Sequence, residues 1–97
     1  MISHIYNLFR KYISKIAIPI NDVVCEYEGM KILTRNPSES LIGKSIYKYG
    51  FWEKETTDTV VRKVKEEMII LDVGADIGYY SLLFSKLVGN NGMIYSF

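Results

Sequence analysis

Asp72, Gly74, Asp76 and Gly78 fall at alternate positions of the run Ile69 to Phe84. Two carboxylates interleaved with two glycines suit the binding of a nucleotide-type ligand. Glycine lets the backbone approach such a ligand closely and turn sharply. The flanks supply the matching elements. Met68 to Leu71 is an apolar run of strand length, too short for a helix. Beyond Gly78, Leu82, Leu83, Lys86 and Leu87 recur at spacings of three and four, which predicts a helix. A strand feeding a glycine turn feeding a helix is how open α/β folds build a ligand crevice, with unpaired helix N–H groups pointing into it. The competing structural reading is a plain turn with an acid at a helix start.

Two familiar phosphate-binding patterns do not fit. The dinucleotide fingerprint G-x-G-x-x-G, begun at Gly74, requires glycines where Asp76 and Tyr79 stand. The phosphate loop G-x-x-x-x-G-K-[ST], read on Gly43-Lys44-Ser45, requires a glycine where Ser38 stands. The spacing Asp-x-Gly-x-Asp-x-Gly instead resembles motif I of the S-adenosylmethionine-dependent methyltransferases, in which the middle glycine is often replaced. More narrowly, Asp72-Val73-Gly74-Ala75-Asp76-Ile77-Gly78-Tyr79-Tyr80 followed by Ser81-Leu82-Leu83 resembles the FkbM-type methyltransferase family, with its D-V-G-A-N-x-G-x-Y/F-T/S signature. Gly50-Phe51-Trp52-Glu53-Lys54-Glu55-Thr56 is similar to the family's lead-in G-x-[YFW]-E-x-E-T. Gly89 to Phe97 is similar to its G-x-x-G turn and second strand. The likeness covers residues 41 to 97. One departure is Asp76, where asparagine is commoner; the extra negative charge bears on affinity for a cationic cofactor.

The resemblance implies a methyltransferase that takes its methyl group from S-adenosylmethionine. The acceptor it implies is a hydroxyl on a sugar, polyketide or other small metabolite. It implies cofactor contacts at Asp72, Gly74, Ala75, Asp76 and Gly78. Asp72 would hold the methionine ammonium, and the loop N–H groups would lie near the methionine carboxylate. Tyr79 either walls the methionine end or packs on the sheet, and packing is the expectation for Tyr80. Glu53 is expected near the pocket, or as the cap of the helix that follows it. The family's acid at the end of the second strand falls beyond Phe97. The expectation is therefore that these 97 residues carry only the front of the pocket and turn over nothing by themselves.

The elements that must position the loop can also be read. Ile2, Ile5, Leu8, Phe9, Tyr12, Ile13 and Ile16 recur at helical spacing, with Arg10, Lys11 and Lys15 among them. That helix, over residues 2 to 16, packs on protein or lies on a membrane surface. Pro19 follows it. Val23 to Tyr27 and Met30 to Thr34 alternate about Glu28-Gly29, a hairpin pattern. Asn36-Pro37-Ser38 predicts a turn, and Ser38 a cap for a helix through Leu41, Ile42, Ile46 and Tyr49 that closes at Gly50. Thr56 or Thr57, with Asp58 in the first turn, predicts the start of another helix through Val60, Val61 and Val64. Helix, strand, helix, strand then follow, a βαβ unit preceded by a helix. Its parallel strands are expected to be buried on both faces, which accounts for the absence of alternation in Met68 to Leu71.

The fold class predicted is α/β: the N-terminal part of a doubly wound, Rossmann-like methyltransferase sheet, preceded by a helix and a β-hairpin. Residues 1–50 are the extension and 51–97 the start of the methyltransferase domain, ending after its second strand. A complete domain of that kind needs on the order of 200 residues. A hydrophobic content of 48% argues against disorder. The net charge of +1 gives no general attraction to nucleic acid, and no basic and aromatic stretch offers it a platform. The single cysteine, Cys25, allows no internal disulfide and reads as a small buried side chain. With no apolar run long enough to span a bilayer and no secretory pattern, the expected location is cytoplasmic. No His/Cys/Asp cluster has metal-ligand spacing. No catalytic base stands out, since His4 sits among the polar positions of the first helix. The alternative to an enzyme is a non-catalytic interaction or membrane-associated fragment that uses that helix.

Overall fold

Strict alternation of side chains makes the first sheet. In the computed structural model, which describes residues 18–27 and 29–97, β1 (Val23–Tyr27) pairs antiparallel with β2 (Met30–Thr34). Cys25 lies opposite Ile32 and Val23 opposite Thr34. Cys25, Ile32 and Thr34 are buried on one face, while Val24 and Leu33 are exposed on the other. This is the period-two pattern of a half-buried hairpin. The helix expected over residues 2–16, its membrane contact and His4 lie outside the described residues.

Thr34, fully buried, ties the hairpin together. Its hydroxyl donates to the Val23 carbonyl at 3.1 Å and lies 3.9 Å from the Cys25 sulfur. A turn follows, in which the Asn36 side chain accepts the Ser38 N–H at 3.0 Å. Helix α1 (Leu41–Tyr49) comes next. Its cap is Ser40, whose hydroxyl accepts the Gly43 N–H at 3.1 Å, and not Ser38 as the sequence suggested. Ser38 is spent elsewhere, donating to the Pro19 carbonyl at 2.9 Å. The far end closes as expected: Gly50 takes a left-handed φ of 76° and its N–H bonds to Ile46 O.

The chain divides into two units, residues 1–52 and 53–97. In the second, helix α2 (Lys54–Lys63) begins earlier than predicted. Thr56 and Thr57 are inside the helix rather than at its start. Thr57 is buried, and its hydroxyl meets that of Tyr79 at 3.0 Å, so it serves packing instead of capping. Glu53 occupies the cap position with φ 46°, but its carboxylate makes no capping hydrogen bond. Asp58 pairs with Lys54 one turn back at 3.0 Å, which supports the helix from its exposed face.

Strand β3 (Ile69–Asp72), helix α3 (Tyr79–Val88) and strand β4 (Met93–Ser96) then form the expected parallel β-α-β unit. Ile69 pairs with Met93, and Asp72 with Ser96. Leu83 and Val88 of α3 are buried, and Ile70 and Ile94 are half-buried. The other face is not covered. Ile69, Leu71 and Val73 are 73%, 66% and 80% exposed, and Met93, Tyr95 and Phe97 are exposed beside them. The expectation of burial on both faces is thus corrected to burial on one: helices pack on only one side of this two-stranded sheet. The described residues as a whole form a mixed α/β fold of three helices and two two-stranded sheets. No helix among them is long and apolar enough to cross a membrane.

Candidate functional site

The β3–α3 connection is a loop of left-handed turns. Gly74, Asp76 and Gly78 have φ of 75°, 52° and 87°. At Gly74 and Gly78 a β-carbon would meet nothing within 4 Å. Glycine is therefore required at Gly78 by backbone conformation and not by lack of room for a side chain. Asp76 is the one non-glycine of the three, and aspartate and asparagine are the side chains that best tolerate this region.

Hydrogen bonds fix the loop's path. Phe97 donates its N–H to Asp72 O at 2.9 Å, and its own carbonyl accepts from Gly74 and Ala75 at 3.0 and 2.9 Å. Gly78 N–H closes a turn on Ala75 O at 2.9 Å, and Leu82 N–H begins the helix on Gly78 O. The N–H groups of Gly74 and Ala75 are thus committed to β4. Those of Asp76 and Ile77 make no backbone hydrogen bond among the described residues.

Asp72 ends β3 and is half-buried. One of its carboxylate oxygens, Oδ2, accepts from the Ser81 hydroxyl at 2.5 Å, and the Ser96 hydroxyl lies 2.7 Å from Ser81 Oγ. The other, Oδ1, has no partner among the described residues. Asp76 is exposed on the loop and Ala75 is half-buried within it.

Tyr79 resolves toward packing. It is 3% exposed, held through its hydroxyl by Thr57, and stands edge-on to Tyr80 with ring centroids 5.0 Å apart. Tyr80 is half-buried, with Phe84 one turn on. Its phenol pKa is raised, first by burial and then by the nearby Glu53 carboxylate and Tyr79, against the lowering effect of hydrogen bonds from Thr57 and Thr56. The Glu53 charge is thus felt at Tyr80. Of the seven residues singled out in the sequence, Gly74, Ala75, Asp76 and Gly78 share this one loop, and Asp72 ends the strand that feeds it. Tyr79 begins the helix that leaves it, and Glu53 acts on Tyr80 through its charge.

The residues that sequence reasoning missed are Ser81 and Ser96. Ser81 was visible only as a small polar position in the motif. Ser96 could be connected to Asp72 only through the parallel register, which places the two side by side. Among the described residues no group of three or more His, Cys, Asp or Glu side chains could hold a metal ion. Comparison with protein-family models, with curated proteins and with solved structures gives no match.

Proposed function

We propose that residues 53–97 form the front of an S-adenosylmethionine pocket, the opening β-α-β of a doubly wound, FkbM-type methyltransferase sheet. The observation that carries this reading is the conjunction at the end of β3: a strand-terminal Asp72, a loop with φ positive at Gly74, Asp76 and Gly78, and a helix starting at Tyr79. The donor set suits the amino-acid end of such a cofactor. Asp72 Oδ1 is open to an ammonium group, and the Asp76 and Ile77 N–H groups are open to a carboxylate, at a helix N-terminus whose dipole favours an anion. When bound, the cofactor supplies a sulfonium-activated methyl group for an acceptor hydroxyl on a small metabolite. The residues named here bind and orient the cofactor; the base is not among them.

The test is calorimetric titration of the chain with S-adenosylhomocysteine, beside a Gly74→Val variant shown to be folded by circular dichroism. Binding by the parent that the variant loses supports the loop as the site, since valine at φ 75° distorts the turn. Flat heat in the parent, or displacement of the bound ligand by adenosine triphosphate at equal concentration, counts against it.

A further inference from the structure

The two serines behind Asp72 form a directed chain. An ionised carboxylate only accepts hydrogen bonds, and a serine hydroxyl has one proton to give. At 2.5 Å from Asp72 Oδ2, the Ser81 proton is committed to the carboxylate. The 2.7 Å contact between Ser81 Oγ and Ser96 Oγ must then carry the Ser96 proton toward Ser81. The order is Ser96 to Ser81 to Asp72, running from β4 through α3 to β3. Each link comes from a different element of the β-α-β unit, so the position of Asp72 is set by the packing of all three.

We propose that Ser81 is the positioning residue of Asp72, with Ser96 setting the direction of the Ser81 hydroxyl. An aspartate at a strand end can turn about two side-chain bonds. A short charge-assisted bond from a helical serine removes that freedom and leaves Oδ1 as the oxygen offered to a ligand. Ser81 is well fixed for the task. It lies in the first turn of α3, between the left-handed Gly78 and the buried Leu83, and next to the Tyr79–Tyr80 pair. The ligand feature that Ser81 governs is therefore the ammonium group alone. This inference rests on the cofactor reading above and adds to it a specific division of labour.

The experiment compares two ligands on four proteins. S-adenosylhomocysteine carries the ammonium; 5′-methylthioadenosine lacks the whole amino-acid end. Both are titrated into the parent and into the Ser81→Ala, Ser81→Thr and Ser96→Ala variants, each checked for an unchanged far-ultraviolet spectrum. The expected result is that Ser81→Ala weakens S-adenosylhomocysteine about tenfold or more, the range for one hydrogen bond to a charged group. Methylthioadenosine affinity stays unchanged, and Ser81→Thr, which keeps the hydroxyl, restores the first ligand. Ser96→Ala weakens the first ligand by a few-fold and is the deciding variant if Ser81→Ala does not fold. Equal loss of both ligands would mean general loosening of the helix and overturns the proposal. Unchanged binding in Ser81→Ala overturns it while leaving the cofactor reading in place. A parent that binds neither ligand removes the cofactor reading, and the role of Ser81 with it.

Discussion

The carbonyl oxygen of Phe97 accepts the N–H of Gly74 at 3.0 Å. The contact extends the β3–β4 pairing past Ser96 and into the β3–α3 loop, so the end of the chain's second parallel strand shapes the loop's first half. The N–H groups of Asp76 and Ile77 make no backbone hydrogen bond among the described residues, and they flank the left-handed turn at Asp76, where φ is 52°.

That turn gives the first prediction. Asp76→Gly or Asp76→Asn is expected to leave stability unchanged within about 0.5 kcal/mol or to raise it slightly, because both residues accept a positive φ. Asp76→Val is expected to cost about 1–2 kcal/mol, since a β-branched side chain is strained there. Urea denaturation of the three variants checks this. Valine as stable as glycine would mean that residue 76 does not hold the left-handed conformation.

Burial on a single face of the second sheet gives the next. Leu83 is 1% exposed under the sheet and Leu71 is 66% exposed on its bare face. Leu83→Ala is expected to cost about 2–5 kcal/mol, a large share of the stability of a domain this small. Leu71→Ala is expected to cost about 0.5 kcal/mol or less. Thermal unfolding of both variants decides it, and a Leu71→Ala loss comparable to that of Leu83→Ala would show that the outer face is covered in solution.

What the sequence made legible follows the range of each interaction. The hairpin and the closure of α1 at Gly50 depend on neighbours within a few residues, so alternation and a terminal glycine were enough to place them. Helix α2 was misplaced at its start because Thr56 and Thr57 resemble caps locally, whereas Thr57 is claimed by Tyr79, 22 positions away. The five loop residues were found together because they are contiguous. Ser96 could not be joined to Asp72 without the strand register. Burial of β3 on both faces was inferred from the parallel βαβ pattern and the lack of alternation, but such a pattern reports what a strand can tolerate, and only neighbouring elements decide what covers it.

Cys25 and Thr34 form a second directed chain, this time in the first sheet. Thr34 donates its single proton to Val23 O, so the contact to Cys25 must use the thiol proton. Burial raises the Cys25 pKa above its ordinary 9.0. Alkylation by iodoacetamide near neutral pH is expected to be at least about tenfold slower in the folded chain than in urea, because the thiolate is the reactive form. Thr34→Val, close in shape but without the hydroxyl, is expected to cost about 1 kcal/mol through loss of the hydroxyl's bond to Val23 O. Equal alkylation rates in native and denatured protein would show that this face of the hairpin is open.

Tyr80 provides a pH signature. Its phenol pKa lies above the ordinary 10.0, principally through burial and secondarily through the Glu53 carboxylate. The folded state therefore holds the proton more tightly than the unfolded state does. The resulting stability is present in full below the unfolded value, and is lost as pH rises through the folded one. The unfolding temperature is expected to fall as pH is raised from about 9 to about 11, the range in which an ordinary tyrosine ionises. Tyr80→Phe cannot ionise, so its decline over the same range should be shallower. Glu53→Gln removes the neighbouring charge and should bring the phenol partway back to its ordinary value, giving an intermediate slope. Parallel curves for the parent and Tyr80→Phe would show that the phenol is solvated like any surface tyrosine. Parallel curves for the parent and Glu53→Gln alone would place Glu53 away from the first turn of α3.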